Sequence, residues 1–286
     1  MCVVYGASGV GTGNFQGVGP LDSFLKPRNL TWLRKADLLF VDSPVGSGYS
    51  FVEDQDLLAK TDEEVATDLT TLLIEISIKN PILEKKPLYI LGGFYGGKFA
   101  VTLGLSTLKA IEDEKLMLLL GGIVLGDGFI SPEDYVTSWG PLLKDVSRID
   151  ENGLIESNRV VEKMKQQIAN GNWKAAAELW ADLEQVIHAY SNFVDLTNFL
   201  LDDGVSSLDD LDNLMNGVIR KKAQNYSGQR QIYCGNETVT KGFAKSYKNL
   251  HFYWILGAGH NAVQDQPFVT FNMIGDITNS PGLATF

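Results

Sequence analysis

One stretch constrains this chain more than any other: Leu88-Tyr89-Ile90-Leu91-Gly92-Gly93-Phe94-Tyr95-Gly96-Gly97-Lys98-Phe99-Ala100. The apolar run after Pro87 reads as a buried strand. A glycine-rich turn follows, and Lys98 to Ile111 then carry apolar residues at helical spacing. Strand, tight turn and helix in that order serve two chemistries. In the nucleophile elbow, Gly-x-Ser-x-Gly, a strained turn lifts a serine hydroxyl above the sheet. Gly92 to Gly96 keep that glycine frame, with Phe94 at the serine place. In the phosphate loop, Gly-x4-Gly-Lys-Ser/Thr, backbone amides cradle phosphates and a hydroxyl holds magnesium. Gly92 to Lys98 fit that spacing, with Phe99 at the hydroxyl place. The third reading is a sharp βα turn with no chemistry of its own.

The surrounding pattern is α/β. Asp37 to Asp42 form an apolar strand that opens into the turn-rich loop Ser43-Pro44-Val45-Gly46-Ser47-Gly48-Tyr49-Ser50. In open α/β sheets ligands bind at that end of the strands. Thr61 and Glu64 make a capping box, and Val65, Leu69, Leu72, Leu73 and Ile76 supply a helix's apolar face. Met117 to Leu125 read as a third buried strand, ended by Gly126-Asp127-Gly128. This alternation predicts a mostly parallel sheet. From Ser131 the alternation stops. Glu151 to Asp203 read as helical, with Trp173, Ala176, Leu179, Trp180, Leu183 and Ile187 as a packing stripe and His188 beside it as an ordinary helix residue. Leu208 to Lys222 continue as helix. Residues 131–222 therefore look like a helical cap inserted between core segments 1–130 and 223–286. The glycine-rich residues 6–20 read as a loop, since Asn14 breaks the dinucleotide-binding spacing. Leu250 to Leu256 form a last strand, with His251 within it as a structural residue. Gly257-Ala258-Gly259-His260 put a histidine just past its end, where an α/β-hydrolase triad places its base.

Charge and composition narrow the partners. A net charge of -11 over 286 residues argues against nucleic acid as the main partner. No apolar run is long enough to span a membrane. Cys2 and Cys234 are too few for a zinc site and are either a disulfide or free thiols. No motif calls for a cofactor. Asn29-Leu30-Thr31, Asn225-Tyr226-Ser227 and Asn236-Glu237-Thr238 are glycosylation triplets, meaningful if the chain is secreted. The first residues, Met1 to Gly13, carry no charged and apolar leader pattern.

Taken together, Gly6-Ala7-Ser8-Gly9, Asn14-Phe15 with Gly19-Pro20-Leu21, Asp42 to Ser50, Tyr95-Gly96-Gly97-Lys98, Gly126-Asp127 with Ile130-Ser131-Pro132, and Gly257 to His260 resemble the serine carboxypeptidases. The resemblance is to the plant serine carboxypeptidase-like branch related to the retinoid-inducible serine carboxypeptidase, and it runs in order along nearly the whole chain. It implies an α/β-hydrolase fold with a helical insertion, secretion or delivery to the vacuole, and release of C-terminal residues from a peptide. Some plant members are similar to acyltransferases, which adds acyl substrates.

Carried over position by position, most of the implied machinery is altered. The family elbow reads Glu-Ser-Tyr-Gly-Gly. Gly93 stands for the glutamate that helps hold the substrate carboxylate, Phe94 stands for the nucleophile, and Tyr95 keeps the backbone N–H of half the oxyanion hole. Of the Gly-Gly-Pro-Gly loop that gives the other half, Gly6 remains, and the strand before it is expected to be absent. The segment bearing the triad aspartate is missing after Lys222. His260 alone matches a triad member, so the resemblance implies a truncated, internally deleted and catalytically impaired chain.

Overall fold

The structure is a computed structural model that describes residues 2–5, 8–202, 211, 213–219 and 242–279. Two compact units emerge. One comprises Met1–Phe129, Ser207–Gly257 and Ala262–Phe286, the other Ile130–Ser206 and Ala258–Asn261.

The first unit is built on four parallel strands in the order β2-β1-β3-β4: β1 Cys2–Tyr5, β2 Leu39–Val41, β3 Pro87–Gly93 and β4 Leu119–Gly126. The strand expected to be absent before Gly6 is present as β1. Its Val4 lies opposite Val41 on one side and Gly92 on the other. Val3, Val4 and Tyr5 are β-branched or aromatic, residues that suit a strand paired on both edges. Gly6 itself lies outside the described residues.

Helix α1, Asp62–Lys79, starts at the expected capping box. The Glu64 N–H donates to Thr61 Oγ1 and the Thr61 N–H to Glu64 Oε2, both at 3.2 Å. Its Val65, Leu69 and Leu73 pack with Phe99, Ala100 and Leu103 of α2, Tyr95–Glu112, and with Val41 and Ile90 of the sheet. Leu72, expected on this face, is exposed. The buried face centres on Leu73, and adjacent helical residues point about 100° apart. The helix Pro267–Ile277 covers the sheet elsewhere, packing Phe271 and Ile274 against Val18, Trp32 and Leu91.

Three further expectations change in this unit. Residues 9–18, read as loop, wind into a helix of wide turns, in which the Gly13 N–H donates to Ser8 O and the Gly19 N–H to Asn14 O. The strand β4 is not buried: Leu119, Ile123 and Leu125 are 59%, 39% and 45% exposed, because among the described residues β4 pairs only with β3. Leu250–Ile255 is a strand, β6, but it pairs antiparallel with β5, Gly242–Tyr247, in a separate hairpin. Of the helix expected over 208–222, Leu214–Ile219 is helical, and Leu211 and Leu214 pack on Phe15. The remainder lies largely outside the described residues.

The second unit holds α3 Pro132–Asp145, α4 Glu151–Ala169 and α5 Trp173–Ser191. The helical stretch expected across 151–203 is divided between α4 and α5. The chain turns between them at Gly171, whose φ is +71°, and α5 stops short of 203, capped by Asn192 in the left-handed region. Ala176, Leu183 and Ile187 of the stripe are buried against Val136, Leu143, Val160, Val161 and Met164. Trp180 joins Tyr135 and Trp139 with ring centroids 5.8 and 5.1 Å away, and its indole N–H donates to Glu184. Trp173 opens α5 and stands 68% exposed, outside the stripe.

Gly92→Ala tests the β3–α2 contact. A Cβ there would meet Gly96 O at 2.2 Å and Ala100 Cβ at 2.7 Å, both on the helix that follows. A loss of about 3 kcal/mol or more in denaturant unfolding is expected, against less than about 0.5 kcal/mol for Leu72→Ser.

Candidate active site

At the end of β3 the chain reverses into α2 through a single residue, Phe94, at φ +47° and ψ -120°. That conformation is costly for a side chain with a Cβ, by roughly 1–3 kcal/mol. Three hydrogen bonds fix it. The Phe94 N–H donates to Gly126 O at 3.1 Å, and Phe94 O accepts the N–H groups of Phe129 at 2.7 Å and Gly97 at 3.0 Å. The flanking glycines let backbones meet: a Cβ on Gly97 would lie 2.6 Å from Gly128 Cα. The Phe94 and Tyr95 rings both stack toward Phe129, with centroids 5.5 and 6.1 Å away, and Tyr95 sets its edge to Phe99 at 5.2 Å.

Lys98, the phosphate-loop lysine by spacing, turns away from the glycines. Its Nζ donates to Asp62 at 2.9 Å, approaches Tyr95 Oη at 3.4 Å and stands 5.1 Å over the Tyr95 ring. Burial disfavours its charge, but the bonds to Asp62 and Tyr95 outweigh burial and hold the ammonium above its ordinary pKa. Phe99 is buried in the core and has no oxygen to offer a metal.

Beside the elbow, the loop after β2 is organised by the buried Asp42. Its two carboxylate oxygens accept the N–H groups of Val10 at 2.8 Å and Tyr49 at 2.9 Å, and Ser50 Oγ donates to its carbonyl at 2.7 Å. Gly48, at φ +53°, has no room for a Cβ, which would lie 2.2 Å from Asp42 Oδ2. Gly9 likewise lies against Val41, where a Cβ would sit 2.0 Å from the carbonyl oxygen. The motif Asp42 to Ser50 is therefore a clamp between β2 and the wide helix 9–18. The sequence marked this loop as a site edge, but not the aspartate as its anchor. The signal was an acid followed by glycines at positions that need positive φ.

Of the residues singled out from the sequence, Gly93, Phe94 and Tyr95 lie together in the elbow. His260 belongs to the second unit. Its N–H donates to Thr197 O at 2.7 Å, and Gly259 lies so close that a Cβ would meet the same oxygen at 2.6 Å. The receiving turn is held by Asp195 Oδ1, which accepts from the N–H and hydroxyl of Thr197 at 2.7 and 2.6 Å. His251 pairs through Nδ1 with Ser246 Oγ at 2.8 Å, a hairpin contact. Among the described residues no group of three or more His, Cys, Asp or Glu side chains could hold a metal ion, and no helix is long and apolar enough to cross a membrane.

The serine carboxypeptidase family model matches residues 6–228 and 213–280. The chain belongs to the serine carboxypeptidase family. It is 44% identical to serine carboxypeptidase-like 51 of Arabidopsis thaliana, over 97% of this chain and 84% of that one. It is 31% identical to the human retinoid-inducible serine carboxypeptidase, over 96% and 82%. The former alignment runs over 386 residues while this chain has 286, so about a hundred aligned positions have no residue here. A prohormone-processing carboxypeptidase of Saccharomyces cerevisiae superposes with a TM-score of 0.72 at 16% identity, over 97% of this chain and 83% of that one. The serine carboxypeptidase homologue thus has the α/β-hydrolase fold, and its parallel sheet is the one expected.

Two substitutions test the site. In Asp42→Asn one oxygen becomes an NH₂ that must face a backbone N–H, and a loss of about 2–3 kcal/mol is expected in unfolding experiments. At Phe94, glycine should be more stable than alanine by about 1 kcal/mol, the reverse of their order in ordinary backbone, because of the positive φ.

Proposed function

We propose that this serine carboxypeptidase homologue does not turn over peptides, and that it serves as a non-catalytic member of its family. The observation that carries the reading is the residue at the elbow. Phe94 occupies the turn from which a family serine would attack, and a phenyl ring has no heteroatom for nucleophilic attack. Losing a triad nucleophile costs on the order of 10⁶ in turnover. Three further features support the reading. Gly93, at the place of the family's carboxylate-binding glutamate, has no group to hold a peptide's C-terminus. The roughly hundred positions without a residue here fit the loss of the aspartate segment after Lys222. Without that aspartate, the base role of His260 lacks the carboxylate that orients a triad imidazole. Tyr95 keeps the backbone N–H for an oxyanion, and Gly6 is the remnant of the loop for the second donor. Residues 131–222 are taken as the cap insertion, and 1–130 with 223–286 as the core. The substrate class that the family implies, a peptide or acyl group, would at most be bound.

A nucleotide-hydrolase reading gains nothing from the geometry. Lys98 is committed to Asp62 and Tyr95, and Phe99 is core.

The test is labelling of the purified chain by a fluorophosphonate, together with hydrolysis of blocked dipeptides and a His260→Ala control. No labelling and no turnover are expected, and Phe94→Ser alone should restore little, since base orientation and carboxylate recognition stay incomplete. Labelling of the unmodified chain, or hydrolysis that disappears in His260→Ala, would show that another nucleophile serves the site.

A further inference from the structure

We propose that the hairpin of β5 and β6 is a docking face for an anionic lipid bilayer, on which the chain lies without spanning it. By register Phe243 sits opposite Trp254 and Lys245 opposite Phe252, and strand alternation adds Leu250 to the same face. Phe243, Leu250, Phe252 and Trp254 are 62%, 70%, 63% and 64% exposed, and Lys245 is exposed among them. Lys248, also exposed, follows at the turn. The chain as a whole carries a net charge of -11, but from Thr238 to Gln264 it has three lysines and no aspartate or glutamate. The hairpin is thus a positive segment of an acidic protein, and its aromatic rings face water beside the charge.

That chemistry fits a lipid surface better than a protein partner. The side chains named offer cations, rings and an indole N–H, but no carboxylate, amide or hydroxyl with which to fix a protein's hydrogen bonds. Aromatic and aliphatic groups enter the boundary between headgroups and acyl chains, while a lysine lays its stem on apolar surface and keeps its ammonium at the headgroups. Anionic headgroups supply the matching charge. The depth is compatible as well. Side chains stand about 5 Å from the plane of a sheet, half the spacing between packed sheets. The rings therefore reach the boundary while the backbone stays in the hydrated layer, where water satisfies it. The opposite face does not compete, since Tyr253 and Ile255 are half-buried there and Asp276 acts on Tyr253. The Debye length is about 8 Å at physiological ionic strength, so charges farther than this from the bilayer are largely screened, whereas lysines in contact with it are not. Binding should be weak and reversible, with a constant on the order of 10⁴ M⁻¹, as for one myristoyl chain.

Co-sedimentation of the full chain with vesicles tests this, using phosphatidylcholine alone and phosphatidylcholine with one third phosphatidylserine. Binding to the anionic vesicles is expected at 50 mM NaCl, several-fold weaker at 500 mM, and little binding to phosphatidylcholine alone. Lys245→Glu reverses a charge at the surface and should weaken binding at least about tenfold, with the circular dichroism unchanged. The face itself is located by brominated lipids, which quench tryptophan emission on contact. Trp254→Phe keeps the apolar ring, so vesicle binding should persist while most of the quenching is lost. Trp173 is also exposed, on the other unit, and Trp173→Phe should leave the quenching in place. No binding to anionic vesicles at 50 mM NaCl overturns the proposal. So does binding that Lys245→Glu leaves unchanged, or quenching that survives Trp254→Phe. Association of copies without vesicles that Lys245→Glu abolishes would assign the face to a protein partner, and overturns it too.

Discussion

The closeness of α2 to β3 at Gly92 is the contact on which the rest of this unit depends. With the Cβ position of Gly92 filled by Gly96 O and Ala100 Cβ, the helix cannot leave the strand at any other angle. That angle carries Phe99, Ala100 and Leu103 into the core beside α1, and it forces the single linking residue into positive φ. The glycines that recommended this stretch as a site in the sequence are thus explained first as packing. Chemistry, where a family member has it, uses a geometry that packing has already imposed.

That order of cause bears on why the turn survives with a phenylalanine in it. The conformation at Phe94 is set by the carbonyl of Gly126 and the amide of Phe129, both on the segment that ends β4, and by Gly97 within α2. None of these partners reads the side chain. The phenyl ring recovers some of the backbone cost by lying against Phe129. The elbow is therefore a property of how β3, β4 and α2 meet, and its presence says nothing about a hydroxyl.

What could be read from the sequence follows the same division. The strands at 39–41, 87–93 and 119–126 and the helices at 62–79 and 95–112 were legible, because local periodicity and the capping box of Thr61 and Glu64 agree with the tertiary packing. The strand Cys2–Tyr5 was not, since four residues carry no period and the pairing that makes them a strand comes from β2 and β3. The exposure of β4 was hidden for a related reason. An uninterrupted apolar run reports that a strand is suited to burial, not that a neighbour is present to bury it. In the site, the elbow and its missing hydroxyl were plain from spacing and residue type. The anchoring role of Asp42 was not, because its donors at Val10 and Tyr49 are supplied by loops that only the fold brings together.

The hairpin shows what a sheet costs when pairing is incomplete. By register Phe243 lies opposite Trp254 and Lys245 opposite Phe252, so Phe243, Phe252 and Trp254 share one face, and each is more than 60% exposed. Two strands alone are marginal in water, and three or more, or a covering helix, are needed for independent stability. Here Tyr253, on the opposite face, is drawn toward cover: burial, and to a lesser degree the charge of Asp276, hold its hydroxyl above the ordinary tyrosine pKa. One face is thus partly protected while the other presents aromatic rings to solvent. Apolar surface of that extent is rare on soluble monomers. The exposed Leu119, Ile123 and Leu125 of β4 and the aromatic face of the hairpin are surfaces that a chain lacking about a hundred of its relatives' residues would be expected to leave open. Hydrophobic burial favours closing such surfaces, so their exposure is a cost that the packing of the rest of the fold has to offset.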